Sequence, residues 1–274
     1  MKTLTKFAAI ALAISAMAAC SKDDASENTG GGDNKVTERP ESILKPLADA
    51  GYVLTEVSVD DGQRYTFEYD ENDQCIKFSN GKLAYTYDSA EGVFKSEDSK
   101  LSLNSSGFAD VGHDMKNRSY FNTCLAMENN YDKSMRYRWK DDGINNITSL
   151  YYAEDRAVMG SYLYSYINPR KSNKYKMWTY ATFMPCLPTG GYYFATSFLG
   201  FAGLLGIGSE YLPDNMIFTE TRTNDKGESS IYSNEYTFSY DISEDGRILK
   251  EICESKYGTK YTVTYTYGPS SKKK

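Results

Sequence analysis

Aromatic and polar residues alternate along much of the chain, and short turns rich in Asp, Asn and Gly interrupt the alternation. The pattern is clearest at Tyr65-Thr66-Phe67-Glu68-Tyr69 and again at Tyr236-Thr237-Phe238-Ser239-Tyr240. Successive side chains of a strand point to opposite faces, so a period of two gives one aromatic face and one polar face. Aromatic residues suit such a surface, and they make up 14% of this chain. The sequence therefore predicts a mainly β fold.

Turn signals between the alternating segments indicate antiparallel hairpins. Residues 52–88 predict a four-stranded meander, in which Asn80-Gly81 forms a type I′ turn with both central residues at positive φ. The same pattern of strand, acidic turn and strand recurs later in the chain. Further strands are expected at 137–139, 147–150, 236–240 and 261–265.

Length and composition favour a single domain. The chain has 274 residues, of which 40% are hydrophobic and 25% charged, and all-β domains commonly reach this size. We expect one β-rich domain over residues 36–268, built as an antiparallel meander in an open half-barrel or a sandwich, with one or two short helices packed on it. Residues 269–274, with three terminal lysines, are expected to be a disordered tail.

One internal segment departs from the alternation. Residues Phe198-Leu199-Gly200-Phe201-Ala202-Gly203-Leu204-Leu205 are apolar on every side and too few to span a membrane as a helix. A stretch that is apolar all round is normally buried, so we expect a short core helix packed on the sheet. The alternative is a lid over a cavity that holds an apolar ligand.

The N-terminus has the pattern of an export signal. Residues 1–19 contain two lysines followed by the apolar run 7–18, and Met17-Ala18-Ala19-Cys20 resembles a lipobox. This resemblance implies cleavage before Cys20 and a diacylglycerol thioether on its sulfur. Ser21-Lys22-Asp23-Asp24, with Lys22, Asp23 and Asp24 as its charged part, resembles the signal that directs Bacteroidetes lipoproteins to the outer face of the outer membrane. Residues 20–35, with three consecutive glycines, are expected to be a flexible tether.

Charge and histidine content exclude several chemistries. The formal net charge is −6, which disfavours nucleic acid as a partner because phosphate recognition needs clustered Lys and Arg. His113 is the single histidine, so sites that need two imidazoles are excluded. Asp110 and Asp114 flank His113, but no Gly-x-Ser-x-Gly motif accompanies them. We expect no metal, no cofactor and no catalytic residue. Asp241–Gly246 resembles half of a calcium loop but lacks the final acid, so it is interpreted as a turn.

Four cysteines remain besides Cys20: Cys75, Cys124, Cys186 and Cys253. In an oxidising compartment they could form two disulfides in three ways. We favour buried free thiols instead, because a domain of this size does not need covalent cross-links.

Two tyrosine-aspartate segments carry a family resemblance. Tyr69-Asp70 with Asp73, and Tyr240-Asp241 with Gly246-Arg247-Ile248, resemble the Tyr-Asp repeats of Rhs-type proteins. With the lipoprotein start, the apolar segment 198–206 and Tyr211-Leu212-Pro213, the chain is similar to Bacteroidetes lipoproteins of the domain of unknown function 4595 type. That similarity implies an antiparallel β fold and supplies no activity or site residues.

The expected function is that of a cell-surface lipoprotein, held in the outer membrane by its N-terminal lipid, which binds a glycan or a protein or supports envelope assembly without catalysis. The alternative is a carrier of an apolar ligand in an open half-barrel, and a hydrolase is third. Exposed Tyr and Trp, including Trp139 and Trp178, could stack on sugar rings, although aromatic core packing is favoured.

Replacing Cys20 with alanine tests the proposed anchor. Because only a thiol can form the thioether, Cys20→Ala should abolish labelling by radioactive palmitate and release the protein from the membrane fraction. Fractionation of cells that express either form measures this. Palmitate labelling of Cys20→Ala equal to that of the wild type would contradict the lipoprotein interpretation.

Overall fold

Fourteen strands form one antiparallel sheet in the computed structural model of the protein. The structure describes residues 39, 41–81, 83–97, 100–103, 107–109, 124–128, 134–141, 147–154, 157–183, 199–206, 208–223 and 227–273. The first ten strands are β1 Tyr52–Val59, β2 Arg64–Tyr69, β3 Cys75–Ser79, β4 Ala84–Asp88, β5 Val93–Lys95, β6 Lys100–Ser102, β7 Cys124–Glu128, β8 Ser134–Asp141, β9 Ile147–Glu154 and β10 Ala157–Ser165. The later strands are β11 Lys171–Ser172, β12 Tyr211–Leu212, β13 Asn215–Thr223, β14 Ser229–Ile242, β15 Ile248–Ser255 and β16 Lys260–Pro269.

Helical structure is sparse. Helix α1 spans Lys45–Asp49, helix α2 spans Tyr180–Phe183, and a 3-10 helix spans Ser271–Lys273. Within the described part of the chain, no helix is long and apolar enough to cross a membrane.

The order of strands in the sheet is β6-β5-β4-β3-β2-β1-β16-β15-β14-β13-β10-β9-β8-β7. Strand β1 pairs with β16, so the first and last long strands lie side by side. In this order β6 and β7 are the two edges, and the sheet is not closed. The prediction of a mainly β, antiparallel meander is confirmed, and it takes the form of one large sheet. A separate pair, β11 with β12, is the second sheet of the described residues.

One face of the sheet, here called the inner face, carries the aromatic positions. Tyr65 and Phe67 on β2 are buried, whereas Thr66 and Glu68 between them are exposed. A bulge in β1 between Leu54 and Glu56 shifts the alternation by one residue, so that Leu54, Val57 and Val59 all lie on the inner face. The predicted alternation of buried and exposed side chains therefore holds, and where a bulge adds a residue it shifts which positions face inward.

Aromatic side chains meet across the strands of the inner face. Phe78 and Tyr85 are register partners with ring centroids 5.2 Å apart, and the next pair, Tyr87 and Phe94, has the same separation. Offset and tilted contacts of this kind add to the free energy gained from burial. The expected cross-strand aromatic packing is confirmed.

Tyrosine can fill this core because its hydroxyl groups find acceptors. The hydroxyl of Tyr69 donates to the Leu54 carbonyl at 2.8 Å, and the hydroxyl of Tyr267 donates to the Ile248 carbonyl at 2.8 Å. A buried hydroxyl without a partner would cost about 1–3 kcal/mol. These hydrogen bonds remove that cost and fix the rings against neighbouring backbone.

Four hairpin turns share one five-residue geometry, in which the first N–H donates to the fifth carbonyl and the fourth residue has positive φ. The turns are Val59–Gln63, Asp70–Gln74, Ser243–Arg247 and Ser255–Thr259. Their fourth residues are Gly62, Asp73, Gly246 and Gly258. Asp73 therefore occupies a glycine position, with φ at 58°. The second tyrosine-aspartate segment has two residues more between its tyrosine and its turn glycine than the first has before Asp73. Asp241 and Ile242 belong to β14, and Ser243 takes the place that Asp70 has in the first turn.

The turn at Asn80 corrects one detail of the sequence analysis. Gly81 has positive φ, at 82°, as expected. Asn80 does not have positive φ. Its backbone N–H pairs with the Leu83 carbonyl at 3.1 Å, which makes Asn80 the first residue of the turn rather than a central one. The Asn80 side chain accepts the Leu83 N–H at 2.8 Å instead. Glycine accordingly stands at the first central position, where a primed turn needs positive φ.

Residues 270–272, in the segment expected to be a disordered tail, form hydrogen bonds with the folded chain. Ser270 is buried, and its N–H donates to the Gly51 carbonyl at 3.1 Å. The Ser271 N–H donates to Asp73 Oδ1 at 2.8 Å, and Lys272 Nζ lies 2.6 Å from Asp49 Oδ1. These bonds tie the end of the chain to α1 and to the turn after β2.

Replacing Gly81 with valine should destabilise the protein by about 1–2 kcal/mol, because a β-branched residue resists positive φ. A Cβ at this position would meet nothing within 4 Å, so steric contact does not contribute. Gly81→Asn is the matched control, since asparagine tolerates this φ, and it should cost less. Urea unfolding measures both. Equal losses for the two variants would contradict the assignment.

Candidate binding surface

The chain between β10 and β13, residues 166–214, contributes the segments that cover the inner face. Strands β11 and β12 pair at the neck of this region, which we call the insertion. Described residues 199–205 are buried and begin with a helical stretch at 199–201. The Phe201 ring lies 5.7 Å from Tyr65 and 6.2 Å from Tyr265, measured between centroids. The expected core packing of this segment is confirmed for these residues.

A buried carboxylate attaches the insertion to the sheet. Glu251 on β15 is 0% exposed and points to the inner face. Its Oε1 accepts the Ala181 N–H at 2.7 Å, and its Oε2 accepts the Tyr180 N–H at 3.0 Å and the Tyr265 hydroxyl at 2.6 Å. Two backbone donors at the start of α2 are thereby satisfied by a side chain of the sheet.

Burial raises the pKa of Glu251 to about 7, and the hydrogen bonds from Tyr265, Ala181 and Tyr180 oppose this rise only in part. We call Glu251, Tyr265 and the N–H groups of Tyr180 and Ala181 the Glu251 cluster.

Further polar contacts fix the two parts of the insertion to each other. The Asn173 side chain donates to the carbonyls of Met177 and Ser209 at 2.7 and 2.8 Å, and Trp178 Nε1 donates to the Gly206 carbonyl at 2.8 Å. Trp178 is therefore a core residue rather than a surface ring for stacking.

A second buried acid, Asp214, shapes the loop that leaves β10. Its Oδ2 accepts the Ile167 N–H at 2.7 Å, and its Oδ1 pairs with Lys171 Nζ. The Asp214 carbonyl also accepts the Phe238 N–H at 2.8 Å. Asp214 thus fixes both ends of residues 167–171 beside β14.

This fixed loop presents a mixed apolar and cationic surface. Ile167 is 58% exposed. The Arg170 guanidinium lies over the rings of Tyr166 and Tyr211, 5.6 and 5.4 Å from their centroids. We call Tyr166, Ile167, Arg170 and Tyr211 the loop patch. It combines an aromatic and aliphatic surface with hydrogen-bond donors, on a loop that is already ordered by Asp214.

One cavity, lined by Arg39, Gln74 and Gly203, is small, with about 20 Å³ of free space, enough for one water molecule. A carrier of apolar ligands needs several hundred Å³. In the described residues, the inner face next to β1, β2 and β16 is filled by side chains of the insertion and of α1.

Several residues singled out from the sequence lie outside the described residues: the leader 1–19, Cys20, Lys22, Asp23, Asp24 and His113. Cys75 and Cys253 are buried free thiols, as favoured, and burial raises the pKa of the Cys75 thiol to about 12. Cys186 and the side chain of Cys124 are not described.

The turn interpretation of Asp241–Gly246 is supported by its contacts. Arg247 Nε lies 3.0 Å from both carboxylate oxygens of Asp245, and the Ser243 hydroxyl donates to the same group. These hydrogen bonds hold the pKa of Asp245 well below its usual value. Within the described part of the chain, no group of acids, cysteines or histidine is arranged to hold a metal ion.

The sequence analysis missed Glu251, Asp214 and Arg170. Glu251 lies two residues before Cys253 and therefore on the same, apolar face of β15. The alternation of the sequence could thus have predicted its burial. Asp214 and Arg170 had none, because they act through contacts with residues far away in the sequence.

Comparisons with known proteins were made by family, by sequence and by structure. No protein-family model matches the chain. No curated protein sequence matches it either, so the resemblance to Rhs-type and domain of unknown function 4595 proteins gains no support. Among solved structures, a porin-like protein from Bacteroides uniformis is 13% identical, covering 78% of this chain and 98% of that one with a TM-score of 0.49. At this level neither fold nor function transfers between the two proteins.

Shortening Leu204 tests whether the insertion is part of the core. Leu204 is 2% exposed, so Leu204→Ala should lower the free energy of unfolding by about 2–5 kcal/mol. Ile231, which is 61% exposed, provides the control, and Ile231→Ala should change stability by less than about 0.5 kcal/mol. Chemical unfolding measures both. A loss below about 1 kcal/mol for Leu204→Ala would show that the segment is only loosely attached.

Proposed function

We propose that this protein is a non-enzymatic module of the cell envelope that binds a glycan through the loop patch. The lipobox at Cys20 and the charged residues after it support an outer-membrane location facing the cell exterior, with the lipid as the attachment to the membrane. The observation that carries the proposal is the ordered loop with Arg170 over the rings of Tyr166 and Tyr211.

The chemistry of the loop patch suits a sugar. Aromatic rings and an exposed aliphatic side chain pack against the apolar face of a pyranose, and Arg170 and Lys171 supply donors for its hydroxyl groups. Asp214 holds the loop in place before a ligand arrives, which reduces the entropy lost on binding. Binding to a protein partner is the other outcome that the same surface allows.

A carrier of apolar ligands has less support, because the inner face next to β1, β2 and β16 is filled in the described residues. Among the described residues, a hydrolase has no specific feature in its favour, since Glu251 is fully buried under the insertion and out of reach of a polymer.

Glycan binding is tested with an array of plant, host-mucin and bacterial polysaccharides, followed by affinity measurement on the best probe. Arg170→Ala should weaken binding about tenfold, in the range of a residue central to recognition. Arg64→Ala is the matched control, because Arg64 is an exposed arginine paired with Glu56 on the opposite face of the sheet.

Unchanged affinity in Arg170→Ala, or the same loss in Arg64→Ala, would contradict the assignment of the loop patch. If no polysaccharide binds, while a defined envelope protein binds the wild type and not Arg170→Ala, the ligand class is wrong and the surface is right.

A further inference from the structure

The Glu251 cluster joins a titratable group to a short segment of the insertion. Its two backbone donors belong to residues 180–181, which start a helix of only four residues. We propose that Glu251 is a proton-controlled latch: residues 178–183 are held on the sheet most firmly when Glu251 is protonated, and this attachment weakens as the pH rises. This inference does not rest on the proposed function.

Among the described residues, no cation faces Glu251 to stabilise its charge. The titratable side chains that face it are Tyr265 from β16, Tyr240 from β14 and Cys253 from its own strand. The insertion contributes the N–H groups of Tyr180 and Ala181. The ionised carboxylate is therefore compensated by hydrogen bonds alone, which do not balance the loss of hydration.

The direction of the effect follows from proton linkage. In the closed arrangement the pKa of Glu251 is about 7, and a carboxyl exposed to water by opening returns to its ordinary value of 4.5. The closed state then holds the proton more tightly than the open state, so the equilibrium constant for opening grows as the pH rises from 4.5 to 7. The equilibrium constant for opening levels off above pH 7. The full range corresponds to about a 300-fold change in that constant, from the difference between the two pKa values.

Detachment of residues 178–183 from the sheet would affect more than the N–H groups of Tyr180 and Ala181. The Tyr164 hydroxyl donates to the Ala181 carbonyl at 3.3 Å, and Trp178 connects the same segment to Gly206. Residues 178–183 are thus the place where β10, β15 and the apolar turn 202–206 are held together. Their detachment would expose part of the inner face to solvent.

Hydrogen exchange on the full chain tests the latch. The amides of Tyr180 and Ala181 should lose protection between pH 5 and pH 8 by roughly 70-fold, after correction for intrinsic exchange rates, on the basis of the two pKa values. Amides of the β3–β4 hairpin, far from Glu251 along the sheet, should change much less. An equal change in all amides would mean global unfolding and would overturn the proposal, as would constant protection.

Two variants separate the role of Glu251 from a general effect of charge. Glu251→Gln cannot ionise, so it should remove the pH dependence of exchange at Tyr180 and Ala181. Glu254→Gln, an exposed glutamate on the opposite face of the same strand, should retain it.

If Glu251→Gln does not fold, the wild-type protein still provides the test. The amide chemical shifts of Tyr180 and Ala181 should titrate with a midpoint near 7. A midpoint near 4.5, the value of an exposed carboxyl, would overturn the proposal.

Discussion

A single sheet with one apolar face must have that face covered, and every other feature of this fold depends on how the chain does so. Two-layer domains usually bury such a face under helices or under a second sheet. In the described residues, this protein uses α1 and irregular segments of the insertion between β10 and β13 instead. Irregular backbone has polar groups that regular structure would satisfy, so this covering needs additional partners.

Buried polar side chains provide those partners. Glu251 accepts the first N–H groups of α2, Asn173 supplies the carbonyls of Met177 and Ser209 with donors, and Asp214 accepts the Ile167 N–H. Tyrosine serves the same purpose from the sheet, since its ring fills apolar space while its hydroxyl reaches a carbonyl. The many tyrosines of the sequence thus have a structural reason before any functional one.

The sequence predicted the strands near both ends of the chain because alternation and turn chemistry are local properties. The hairpins of 52–88 and of 236–265 follow from them, including positive φ at Gly81. The displacement of that turn by one residue was not predictable, because asparagine suits both a turn centre and the position before it. The C-terminal residues are held by hydrogen bonds to Asp73 and Gly51, which are distant in sequence. Local conformational propensity carries no information about such contacts.

The candidate surface was less predictable than the fold. Ile167, Arg170 and Tyr211 come together because β11 and β12 pair, and a two-stranded contact leaves no periodic signal. The burial of Glu251 could be inferred from its phase in β15, but not its partners, since the insertion that supplies them has no regular pattern.

The pairing of β1 with β16 sets the order in which the molecule can be completed. The contact between Thr55 and Thr266 joins residues 211 positions apart, in the middle of the sheet. The N-terminal hairpins can form while the rest of the chain is being synthesised, yet one side of β1 stays unpaired until the last strand arrives. Strand edges left open in this way are sites of unwanted association. A chain truncated before residue 260 would therefore lose the central seam of the sheet, and the unpaired side of β1 would be left open to strands of other copies.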